Sequence, residues 1–128
     1  MKKLKVILLG AGSRGIAYTD LMVNDRERFE VVAVADPNKA RNKYVQDKHN
    51  ISDSMCFDSW EEVLNLEKFA DVVLVCTMDK MHYEPVMAAI EKGYDLLLEK
   101  PVAPTPEECI KIKKAAEEKN VKILFVMF

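Results

Sequence analysis

Residues 5–15 read Lys-Val-Ile-Leu-Leu-Gly-Ala-Gly-Ser-Arg-Gly. A mostly apolar run leads directly into Gly10, Gly12 and Gly15, and the residues after Gly15 read as a helix. A strand, a G-x-G-x-x-G turn and a helix opening form the dinucleotide-binding arrangement. Each glycine has its own reason. Gly10 permits the tight turn, Gly12 leaves the pyrophosphate unobstructed, and Gly15 lets the helix approach the strand. Residues 10–15, Ser13 and Arg14 included, are therefore the candidate phosphate cradle. Backbone N–H groups and the positive end of the helix dipole would face the anion there.

The fingerprint also requires an acidic residue at the end of the next strand. Residues 31–35 are apolar and run into Asp36, 21 residues beyond Gly15, where the pattern expects ~20. A carboxylate there can accept the adenosine ribose hydroxyls and would repel a 2′-phosphate. No arginine stands directly beside it, and Pro37 and Asn38 follow. This pattern favours NAD over NADP. The competing reading of Asp36 is a turn or cap aspartate ahead of Pro37.

The remaining chain alternates in the same way. Helices are expected at about 37–48, with Ala40 and Tyr44 inward, at 60–66 behind a Ser59/Glu62 capping box, after residue 82 as far as Lys92, and from Pro106 behind a Thr105 cap. Strands are expected at 54–57, 72–76, 95–98 and 122–128. In the first helix, Ala17 and Leu21 make the apolar stripe beside Tyr18 and Met22. Trp60 reads as a half-buried packing residue. This alternation predicts an α/β fold, a doubly wound parallel sheet of six strands in the Rossmann order 3-2-1-4-5-6. Ligands bind at the carboxyl ends of such strands, where the order reverses. The loops holding residues 10–15, 77–82 and 99–101 all open on that edge.

Composition sets further bounds. A length of 128 residues suits one domain able to bury roughly two thirds of its unfolded surface. The net charge is −2, with 31% charged residues of both signs, so there is no basic stripe for nucleic acid. Two histidines and three scattered cysteines offer no metal-ligand spacing, and metal is not expected. The cysteines fit reduced thiols in a cytoplasm. The apolar run near the N-terminus is interrupted by Lys5 and ended by Gly10, too early for a signal peptide. No run approaches the ~18 apolar residues of a membrane span.

With these loops placed, the chain resembles the Gfo/Idh/MocA oxidoreductases across essentially its whole length. The residues that carry the resemblance are Gly-Ala-Gly-Ser-Arg-Gly at 10–15, Val-Ala-Asp-Pro-Asn at 34–38, Cys-Thr-Met-Asp-Lys-Met-His at 76–82, and Gly-Tyr-Asp-Leu-Leu-Leu-Glu-Lys-Pro at 93–101. The resemblance implies that residues 1–128 are the NAD(P)-binding domain of a dehydrogenase of sugars, polyols or related small molecules. Under it, Lys100 becomes the catalytic lysine beside the nicotinamide, stabilising the alkoxide that develops as hydride leaves. The residue pattern alone equally allows a solvated surface lysine. Glu99 would approach the nicotinamide ribose or brace its loop, and Pro101 would aim Lys100, through a cis bond in many family members. Thr77, Asp79 and His82 would line the cofactor edge, with His82 otherwise a helix cap. The family's Thr-Pro-Asn is Thr77-Met78-Asp79 here, and an ionised Asp79 cannot donate the hydrogen bonds of an asparagine. The family's substrate domain is not expected within these residues, and a homo-oligomer stays open because such enzymes associate through that domain. Two alternatives share the fold: an NAD-dependent glycosidase, and a non-catalytic NAD-binding module.

Overall fold

In a computed structural model of the protein, the structure describes residues 3–76, 83–99 and 105–126. The elements run β1 (Leu4–Leu9), α1 (Ser13–Val23), β2 (Phe29–Ala35), α2 (Lys39–His49), β3 (Cys56–Phe57), α3 (Trp60–Leu64), β4 (Val72–Val75), α4 (Tyr83–Glu91), β5 (Asp95–Glu99), α5 (Pro106–Lys119) and β6 (Ile123–Val126). The strands form one sheet in the order β3-β2-β1-β4-β5-β6, and every pairing is parallel, as expected.

The continuous apolar strands follow from burial on both faces. Successive side chains point to opposite sides of a strand. Ile7, Leu9, Val73, Val75, Leu96 and Leu98 meet α3, α4 and α5 on one face. Val6, Leu8, Val31, Val34 and Leu74 meet Tyr18 of α1 and Val45 of α2 on the other. Two aspartates lock the lower rim: Asp71 Oδ2 accepts the Lys5 N–H at 2.8 Å, and Asp95 Oδ1 accepts the Lys122 N–H at 2.9 Å.

Expectations for three elements are corrected. Helix α1 begins at Ser13, so the second half of the glycine turn is already helical. Its buried stripe is Gly15, Tyr18 and Thr19, while Leu21 is 60% exposed. Gly15 must face the strand, and that sets the helix rotation. Helix α2 begins at Lys39 rather than Pro37, because Asn38 is its cap and accepts the Arg41 N–H at 3.1 Å. Its inward residues are Asn42 and Val45; Ala40 and Tyr44 are exposed. Finally, residues 53–55 form a 3-10 turn, which shortens β3 to Cys56–Phe57. The caps at Ser59 and Thr105 form as expected, accepting the Glu62 and Glu108 N–H groups. None of the three cysteines is in a disulfide, and among the described residues no helix is long and apolar enough to cross a membrane.

Candidate dinucleotide site

The three glycines of the first turn are demanded by three different things. Gly10 has φ of 91°, which excludes other residues without strain. A Cβ on Gly15 would lie 2.2 Å from the Gly10 carbonyl oxygen, so any side chain there would push α1 off the turn. Gly12 is unlike both. Its φ of −72° suits any residue, and a Cβ built on it would meet nothing nearer than the Arg41 Nη1, at 4.0 Å. Internal packing gives no reason for glycine at this position. An approaching ligand does, since a side chain would fill the space in front of the backbone. Gly12 is also the cap of α1 and brings no side chain to it, so the start of the helix faces the turn without a side-chain cap.

Asp36 joins this turn to the next strand. Its Oδ2 accepts the Ala11 N–H at 2.7 Å, and its Oδ1 accepts the Asn38 N–H at 2.7 Å. The residue is 6% exposed. It therefore does serve as a turn aspartate, yet each oxygen keeps a further lone pair for a ribose hydroxyl. The two readings of Asp36 are compatible rather than exclusive. Behind it, the Asn42 amide donates to the Asp36 carbonyl at 2.8 Å and the Phe57 carbonyl at 2.9 Å. Backbone bonds from Gly10 to Ala35, from Asp36 to Phe57 and from Cys76 to Leu9 knit the upper ends of β1 to β4.

A cavity of about 340 Å³ opens at this rim. Gly10, Gly12 and Asp36 line it, as expected for a site at the carboxyl ends of the strands. So do Pro37, Arg41 and Trp60. Trp60 packs against the core beneath α3 and also presents to the cavity, so the packing role expected of it is only part of its position. Arg41 had no signal in the sequence, because it lies five residues past Asp36 and reaches the site only through the direction of α2. The set of groups suits an adenine dinucleotide: a bare backbone at Gly12 for phosphate, a fixed carboxylate to accept from a ribose, and apolar and aromatic wall beside them.

Of the other expected site residues, Ser13 and Arg14 open α1 at the turn, with Arg14 exposed. Glu99 ends β5, paired in register with Val126. Thr77, Asp79, His82, Lys100 and Pro101 lie outside the described residues.

Comparison with known proteins identifies the family and the fold. The model of the oxidoreductase family with an NAD-binding Rossmann fold, Gfo/Idh/MocA, matches residues 4–128. The chain is 30% identical over 118 residues to the scyllo-inositol 2-dehydrogenase (NADP(+)) IolW of Bacillus subtilis strain 168, covering 92% of this chain and 31% of that protein. It is 31% identical over 105 residues to the D-glucoside 3-dehydrogenase of Escherichia coli K12, covering 82% of this chain and 29% of that protein. Among solved structures, the WlbA dehydrogenase of Bordetella pertussis, in complex with NADH and UDP-GlcNAcA, superposes with a TM-score of 0.87 at 22% identity. That match covers 98% of this chain and 37% of WlbA and shows the shared fold. The chain spans about a third of the length of the curated relatives it matches.

Proposed function

The chain belongs to the Gfo/Idh/MocA oxidoreductase family, and from that premise we propose that it is the cofactor-binding part of an NAD-dependent dehydrogenase acting on a sugar, a polyol or a related hydroxy compound. The observation that carries this reading is Gly12, a glycine that the fold does not need, placed beside a carboxylate fixed at the adjoining strand end. The relatives named for inositol and glucoside dehydrogenation support the substrate class. A bound nicotinamide would supply the hydride acceptor. Residues 10–15 would hold the diphosphate, and Asp36 the adenosine ribose. The carboxylate of Asp36 supports NAD as the preferred form. Thr77, Asp79, His82 and Glu99 are proposed along the nicotinamide half, and Lys100 as the cation that stabilises the substrate alkoxide and helps move its proton. The substrate-binding residues are proposed to lie in a second domain, outside these 128 residues. Oligomerisation through that domain and a cytoplasmic setting complete the proposal.

Calorimetric titration of the folded chain with NAD tests the site. Asp36→Ala should weaken NAD binding and narrow the preference against NADP; an unchanged NAD affinity rejects the ribose assignment. Lys100→Ala, placed in the whole enzyme, should lower turnover by roughly 10²–10⁴ while leaving NAD affinity within a few fold. Equal losses in both reject a catalytic lysine.

A further inference from the structure

The face of the sheet that α1 and α2 share is covered over β1, β2 and β3. Over β4, β5 and β6 it holds an apolar groove of about 560 Å³, walled by α1. Leu74, Leu97 and Leu124 stand side by side along its floor, in register across the three strands. Leu124 on β6 is 62% exposed and Leu21 on the α1 wall is 60% exposed. An apolar surface left open in this way marks a contact face.

A charged side chain accompanies each exposed leucine. Asp25 lies four residues after Leu21, and the bonds from the Asn24 N–H to Leu21 and from the Asp25 N–H to Met22 carry the helical advance that far. Lys122 lies two residues before Leu124. Helix α1 runs down the sheet and β6 runs up it, so both charges sit toward the lower rim. Four helical residues advance about 6 Å and two strand residues about 6.6 Å, so the two steps from leucine to charge match in length. Among the described residues Lys122 has no ion-pair partner, and Asp25 has Arg28 at 3.6 Å, an exposed pair that contributes little.

We propose that this face docks a second copy of the chain, about a two-fold axis that runs along the strands. That axis sets α1 of each copy over β5 and β6 of the other and keeps the two lower rims together. Leu21 then meets Leu124, and Asp25 stands opposite Lys122, each pair occurring twice, as an isologous contact requires. A second copy is the occupant because one face carries both members of both pairs, at equal spacing. The groove shares no lining residue with the dinucleotide cavity, so the proposal does not depend on that reading. It is also separate from oligomerisation through a second domain.

Sedimentation equilibrium of the chain between micromolar and millimolar concentration tests this, with a monomer–dimer equilibrium expected. Asp25→Lys and Lys122→Glu should each weaken the dimer at least tenfold, since each sets like charges face to face twice. Mixing these two variants should restore association close to wild type, because every opposed pair in the heterodimer is again of opposite sign. Leu124→Glu should abolish the dimer, and a thermal melt checks that each variant is folded. A chain that stays monomeric at millimolar concentration overturns the proposal. So does a dimer that the charge variants leave intact, or one that mixing does not restore. In the whole enzyme, a Leu124→Cys thiol protected from alkylation equally with and without Asp25→Lys would mean that the enzyme's own chain fills the groove, which overturns it as well.

Discussion

A methyl group added at Gly15 would lie 2.2 Å from a backbone oxygen, while one added at Gly12 would meet only the far end of a flexible arginine at 4.0 Å. The two substitutions should therefore separate stability from binding. Gly15→Ala should lower stability by about 1–3 kcal/mol, the range for forced overpacking, because the clashing atom is main chain and cannot swing aside. Gly12→Ala should stay within about 1 kcal/mol of wild type, the cost of an alanine helix cap, yet weaken NAD binding. Thermal denaturation and NAD titration of both variants check this; a Gly12 variant that loses stability but binds NAD normally would reverse the assignment. Both glycines were legible as a motif. Which served the fold and which the ligand was not, because that depends on what stands opposite each Cα.

Helix α2 shows how a polar residue can set the face of an element. Apolar periodicity selects Ala40 and Tyr44 as inward, but the buried positions are Asn42 and Val45. Asn42 turns inward because two strand-end carbonyls, of Asp36 and Phe57, need a donor. Burial without a partner would cost them more than a lost apolar contact. Asn42→Leu keeps the branched shape of the side chain and removes both hydrogen bonds. It should cost about 1–3 kcal/mol, read as a lower midpoint in chemical denaturation. It should also loosen the strand end that carries Asp36. The caps were legible in advance: Ser59 and Thr105 each accept the N–H three residues on, as the spacing Ser-x-x-Glu and Thr-x-x-Glu requires. Capping is a local interaction, so three residues of sequence suffice to read it. The start of α2 depended instead on Asp36 holding the Asn38 N–H, a choice made by the turn.

At the scale of the molecule, stability should depend on pH through His49, at the end of α2. Burial lowers its pKa first, with the positive charge of Arg26 adding to this, Asp20 opposing and Lys48 adding further. Its Nε2 is buried with no hydrogen-bond partner among the described residues. The folded state thus favours the neutral ring. Its contribution is present above the unfolded pKa, near 6.5, and is lost as pH falls through the depressed folded value. Wild-type unfolding free energy should drop between about pH 7 and pH 5. His49→Gln should flatten that part of the profile; parallel profiles for the two proteins would refute the assignment.

The two faces of the sheet divide along similar lines. Helices α4 and α5 both cover the face of Leu96 and Leu98, since consecutive right-handed crossovers in one direction stay on one side. Leu124 and Leu21 are left 62% and 60% exposed beside an apolar groove of about 560 Å³. Apolar character marks such leucines as core, but coverage is decided by where the crossovers run. The sequence by itself determined the alternation of elements, the strand order, the glycine turn and its partner Asp36, because these follow from periodicity and fixed spacing along the chain. Only the tertiary structure decided that Asp36 is already held by two backbone groups, that Asn42 faces inward, and that Arg41 and Trp60 join the cavity. Each of these depends on which distant atoms meet across the upper edge of the sheet, and no local pattern encodes that distance.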